Sequence, residues 1–177
     1  MPSDTPVNFS SLIPIDFRVG SELYSRYRLE DGTTLLAKYV VTKFYLIPDL
    51  EPGAEVHYHS TSSFVLTCIC PEYLRGKTSV PIPTLEDLRA QEDALPVKVI
   101  IEDEPWNYYD LADGTGFFTK IRVTGVRRTK SIGADGDPIY VVDSKTFGFR
   151  MGNNDVYAPV KELTHSILGQ RNQSIPE

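Results

Sequence analysis

Four side chains in one stretch have types suited to binding a metal: His57 and His59, then Cys68 and Cys70. Imidazole and thiolate are both zinc ligands, and i, i+2 spacing on a strand puts each pair on one face. An H-x-H…C-x-C zinc site in the first half of the chain is therefore one reading. Parity argues against it. The histidines stand at odd positions and the cysteines at even ones, so on an uninterrupted strand they face opposite ways unless a bulge intervenes. The short C-x2–4-C knuckles of structural zinc sites are absent. The simpler reading is two surface or interface histidines and two small, partly buried thiols, with no cofactor. Two cysteines in 177 residues are no disulfide framework, and nothing at the start of the chain has the basic-then-apolar pattern of a secretory leader. Reduced thiols and a cytoplasmic location are the expectation.

A second cluster is basic. Lys120, Arg122, Arg127, Arg128 and Lys130 lie within eleven residues that hold no acid. Cations along a twisted ribbon can follow a phosphate backbone, so anion or nucleic-acid binding is a further reading. Against it stand 24 acidic and 18 basic residues, a net charge of −6, and an acidic segment at 86–113 that such a stripe could face. Nucleic acid is the less expected partner. Tyr24, Tyr27, Trp106, Tyr108 and Tyr109 are types that enrich interface cores and ligand clefts, although small β-proteins use the same residues at the rim of the core. No G-x-S-x-G, P-loop, G-x-G-x-x-G or H-E-x-x-H motif occurs. No catalytic residues are assigned, and a catalytic activity of the chain's own is not expected.

The elements that must position these groups come from a duplication. A shift of 82 positions aligns 27–66 with 109–148 without a gap, with 10 identities in 40 positions. These are Tyr27/Tyr109, Leu29/Leu111, Asp31/Asp113, Gly32/Gly114, Thr33/Thr115, Lys38/Lys120, Val41/Val123, Thr42/Thr124, Tyr58/Tyr140 and Ser62/Ser144. Each copy reads as a three-stranded antiparallel meander rich in Val, Ile, Thr, Tyr and Phe. Its first turn is Asp-Gly, the pair that favours a type I′ hairpin. The histidine positions of the first copy are Ile139 and Val141 in the second, so the fold itself needs no metal there.

The expected fold is mainly β: the duplicated meander arranged as a sandwich or partly open barrel, with a short connector helix at 84–93 and a C-terminal helix at 159–169. The expected organisation is an N-terminal docking arm (1–19), a first β repeat (20–71), a Pro-rich connector (72–96), a second repeat (97–152) and a helical tail (153–177). Two separate small domains are the alternative. The apolar run 97–101 could add a seventh strand.

On the second strand of each meander the odd positions (Leu35, Ala37, Tyr39, Val41; Phe117, Thr119, Ile121, Val123) read as the core face. The even positions differ. The first copy has Leu36, Val40 and Phe44 there, and the second has Lys120 and Arg122. A strand apolar on both faces needs a second layer. A partner seated on Leu36, Val40 and Phe44, with Phe9 and Phe17 of the apolar arm, is the expected binding surface. The functional expectation is a non-catalytic binding or assembly module, an accessory subunit with a protein partner or a second copy of itself. No membrane association is expected, because the chain has no apolar run of about 18 residues.

Overall fold

The computed structural model describes residues 12–47, 57–81 and 83–152. Phe9 and the expected C-terminal helix lie outside them. The described chain forms β1 (Ile13–Ile15), β2 (Phe17–Ser21), β3 (Ser25–Leu29), β4 (Thr34–Ile47), β5 (His57–Ile69), α1 (Leu85–Ala90), β6 (Leu95–Pro96), β7 (Val99–Asp103), β8 (Asn107–Leu111), β9 (Gly116–Ile132) and β10 (Pro138–Met151). The protein is mainly β, in two five-stranded antiparallel sheets. The first sheet runs β5-β4-β3-β7 with β1 beside β4. The second runs β10-β9-β8-β2 with β6 beside β9. Among the described residues no helix is long and apolar enough to cross a membrane.

The same shift of 82 lays β2 on β7 and β3 on β8 residue for residue. It carries Ile13↔Leu46 and Pro14↔Tyr45 onto Leu95↔Arg128 and Pro96↔Arg127. The duplicated unit is therefore longer than the 27–66 window in which the identities are dense. It includes the segment before each meander. That segment crosses over: β2 pairs with β8 of the second copy, and β7 pairs with β3 of the first. Each sheet thus completes itself with a strand from the other half.

The inner faces share one core of Tyr27, Leu29, Leu35, Ala37, Val41 and Phe44 with Tyr109, Leu111, Ile121, Val123 and Val126. This arrangement of two packed sheets fits a sandwich. The odd positions of β4 and β9 face this core as expected, up to a β-bulge. Between Val41 and Lys43, and again between Val123 and Gly125, one residue (Thr42 or Thr124) is left out of the ladder. An extra residue inverts the alternation beyond it. Phe44 and Val126 therefore point inward and are 1% and 3% exposed.

The Asp-Gly hairpins also turn in a different way than expected. A type I′ turn needs positive φ at both central residues, yet among the described residues only glycines have it: Gly32 (86°), Gly114 (84°) and Gly136 (85°). Leu29 N–H donates to Thr33 O, and Gly32 N–H to Leu29 O. These bonds close a three-residue loop in which glycine alone takes the left-handed position. Asp31 and Asp113 instead accept the N–H of Thr33 and Thr115. The connector helix α1 is capped as expected. Thr84 Oγ1 accepts the Asp87 N–H at 3.2 Å, and the Asp87 carboxylate accepts the Thr84 N–H at 2.9 Å. It stops at Ala90, because Gln91 is extended, with ψ of 97°.

Five of the ten identities between copies make contacts across the pseudo-two-fold axis. Tyr27 and Tyr109 are both 0% exposed. The Tyr27 hydroxyl accepts the Val123 N–H at 3.1 Å and donates to Glu104 at 3.1 Å. The Tyr109 hydroxyl accepts the Val41 N–H at 3.3 Å and donates to Glu22 at 2.9 Å. Each contact is the other shifted by one repeat. Lys38 pairs with Glu22 at 2.8 Å and sits over the Tyr24 ring, as Lys120 sits 3.9 Å from Glu104 and over Trp106. Tyr58 donates to Asp113 at 2.6 Å and meets Thr115, and Tyr140 donates to Asp31 at 2.9 Å and meets Thr33.

Removing either buried hydroxyl orphans a backbone N–H and part of a carboxylate. Tyr27→Phe and Tyr109→Phe are each expected to cost about 1–3 kcal/mol in urea unfolding. Burial, assisted by Glu104, Glu22 or Asp31, raises the phenol pKa of Tyr27, Tyr109 and Tyr140 above the ordinary value. Their contribution is therefore complete below about pH 10 and is lost as pH climbs through the raised native values. Melting curves from pH 8 to 12 should show a plateau followed by a fall, and the two Phe variants should flatten that fall.

Candidate functional site

The four candidate metal ligands do not converge. All of β5 pairs with β4 without a break on its own side, with His57 opposite Ile47, His59 opposite Tyr45 and Cys68 opposite Leu35. Nine residues of extended chain separate His59 from Cys68, a span of about 30 Å. The H-x-H and C-x-C pairs thus sit at opposite ends of one strand and cannot share an ion within one chain. Among the described residues no group of three or more His, Cys, Asp or Glu is placed to hold a metal. The His59 ring lies beside Tyr45. Cys68 packs against the core, and burial, with Cys70 and nearby acids, pushes its thiol up to about 12. Burial raises Cys70 as well.

The basic cluster is likewise dispersed. Lys120 and Arg122 share the outer face and both meet Glu104, Arg122 at 2.7 Å. Beyond the bulge at Thr124, Arg128 falls on the side of buried Val126 and pairs with Asp31 at 2.9 Å. Lys130 pairs with Asp93. Arg127 lies opposite Pro96 and Val141 and lines a cleft of about 440 Å³. The expected stripe of one sign is instead a set of cations largely matched to carboxylates of the same chain.

Of the expected partner-binding residues, Leu36 and Val40 are half-buried on the outer face of the first sheet, opposite Thr67 and Ser63. Phe44 does not join them. The bulge turns it into the core, where its ring meets Phe17, Tyr109 and Phe117 at 5.0–5.6 Å between centroids. Phe17 is therefore also an inner residue, on β2 of the second sheet.

The feature that the sequence reading missed is that the third strand of the first meander, β5, is an uncovered edge. Its 13 residues, HYHSTSSFVLTCI, contain no Asp, Glu, Lys, Arg or Pro. Among the described residues it pairs with β4 alone and forms the edge of the first sheet. Phe64 is opposite Tyr39 and Leu66 opposite Ala37, so both belong to the inner face, yet they are 52% and 45% exposed. Val65 and Ile69, on the outer face, are 37% and 55% exposed. Apolar surface therefore continues from Leu36 and Val40 around the strand to Phe64 and Leu66. The inner side opens into a cleft of about 450 Å³, lined by Leu66, Thr67, Cys68 and the 133–139 turn. The run SSFVLT was visible in the sequence. That it is an uncovered edge required the topology.

The second copy provides the contrast. In β10 the equivalents of Thr61, Ser63 and Cys68 are Asp143, Lys145 and Arg150. Charged side chains on an edge discourage further strands from adding to it. Of the remaining strands that pair on one side only, β7 and β2 are five residues long and carry Glu102 and Asp103, or Arg18, while β1 and β6 are three and two residues long with a proline in each. Comparison with protein-family models, curated proteins and solved structures gives no match.

The thiols offer a direct check. A thiol reagent reads thiolate, so Cys68 in the native protein should react at least tenfold more slowly at pH 8 than in denaturant. Rapid stoichiometric labelling of both thiols in the folded state would contradict the burial described.

Proposed function

We propose that the protein is a non-catalytic binding and assembly module whose contact surface is the β5 edge with the adjoining outer face of the first sheet. The observation that carries this reading is the exposure of Phe64, Val65, Leu66 and Ile69 on an uncharged strand, where the duplicated counterpart is charged. An open edge offers unpaired backbone N–H and C=O groups, and flanking side chains give selectivity, which is the logic of strand addition. Covering a half-exposed Phe or Leu gains on the order of 1 kcal/mol each, so a few such residues with a backbone ladder suffice for a specific contact. Phe44 and Phe17 contribute by holding the two sheets in register, not by touching a partner.

The test compares wild type with the Val65→Lys/Leu66→Lys double variant. Both positions are partly exposed, so the variant is expected to fold, with a melting temperature within a few degrees. Wild type should hold a protein, another chain or its own copy, in cross-linking of native material, and the variant should lose it. A wild type that holds nothing, with freely exchanging β5 amides, ends the proposal.

A further inference from the structure

Resting on that reading, we infer that the occupant of the β5 edge is a second copy of this chain, paired antiparallel β5 to β5 about a two-fold axis at Val65. Charge selects this partner. β5 holds no Asp, Glu, Lys or Arg along its 13 residues, and a pairing centred on Val65 sets no histidine against a histidine, so a second β5 meets it without like-charge opposition. Adding the β10 edge of another molecule would instead lay Asp143, Lys145 and Arg150 against a strand with no countercharge. The short edges β2 and β7 are charged as well.

Geometry agrees. In an antiparallel pair related by a two-fold axis, residue i always meets a residue of the same parity, so inner side chains meet inner ones. Centring on Val65 sets Phe64 against Leu66 of the second copy, twice, on the inner face. It sets Val65 against Val65 on the outer face and Ser63 against Thr67. The exposed apolar side chains thereby become cross-strand pairs, the arrangement that stabilises sheets. The first sheets of two molecules join into one ten-stranded sheet.

The assembly also stops at two. An isologous contact uses the same surface on both partners and closes, whereas head-to-tail edge pairing continues into fibres. Among the described residues β5 is the one long edge without Asp, Glu, Lys or Arg; β10 is blunted by charge, and β1 and β6 span only three and two residues with a proline in each, which favours the closed form.

Sedimentation of the full chain tests this, together with a single cysteine. Wild type should sediment as a dimer at micromolar concentration, and Leu66→Lys should weaken the dimer at least tenfold while keeping its melting transition. In a Cys68→Ala/Cys70→Ala background, Val65→Cys should form an intermolecular disulfide under oxidised glutathione, because directly opposed residues stand about 4.5–5.5 Å apart between Cα atoms. Ser79→Cys in the same background should not. A dimer that survives Leu66→Lys, or fails to cross-link at 65, overturns the inference. So does a monomer. A monomer that captures a different protein through β5 overturns the second copy alone and leaves the binding module standing. A monomer with protected β5 amides and no capture means that the chain covers its own edge, and overturns both.

Discussion

Two buried phenols hold the two halves of this protein together. Tyr27 and Tyr109 each reach across the interface between sheets to a backbone N–H at the middle of the opposite long strand and to a glutamate, at distances of 2.9–3.3 Å. A hydroxyl in that setting must be satisfied, and so must the amide and carboxylate it meets. The alignment of β3 against β9 and of β8 against β4 follows. The lysines that pair with the same glutamates, and the aromatic rings beneath them, extend the arrangement to the surface. The hydrophobic core supplies most of the driving force. The reciprocal polar contacts specify which residues face which.

That explains what a reading of residues alone could and could not recover. The duplication, the mainly β class, the capped connector helix and the core face of β4 and β9 are legible, because they rest on local periodicity and on identity at a fixed offset. The identities Tyr27/Tyr109, Asp31/Asp113, Thr33/Thr115 and Tyr58/Tyr140 turn out to be contact residues between copies. They would have pointed to a shared interior had they been read as pairs. Glu22/Glu104 and Pro14/Pro96 extend the match beyond the window in which identities are dense. The bulges at Thr42 and Thr124 are invisible to parity, and this one irregularity moves Phe44 from surface to core and splits the basic stripe. The zinc reading depended on two pairs meeting. A strand rises about 3.3 Å per residue, which keeps them apart.

The two copies have diverged where they do not touch each other. Inside, the polar contacts across the axis match pair for pair, although core positions such as Leu35/Phe117 and Phe44/Val126 differ in size. Outside, the second sheet has acquired an aromatic cluster in which Phe118 stacks on Phe149 with Trp106 edge-on, and charged groups line its long edge. The first sheet has kept an apolar, neutral edge. Each tyrosine of the interior meets the counterpart of the group its own equivalent meets, whereas the two exterior surfaces share no such reciprocal contacts.

The exchanged strands bear on how the chain is made. β2 leaves the ribosome well before the strand it pairs with, β8, which begins at Asn107. The first sheet in turn waits for β7. Neither half can finish its hydrogen-bond ladder from its own residues, so partial sheets with open sides persist until the second repeat has been synthesised. Folding is paced by contacts between residues distant in sequence, a topology that is slow to form and exposed to aggregation on the way. A fold whose halves complete one another leaves unpaired strand edges open for the time that separates the synthesis of the two.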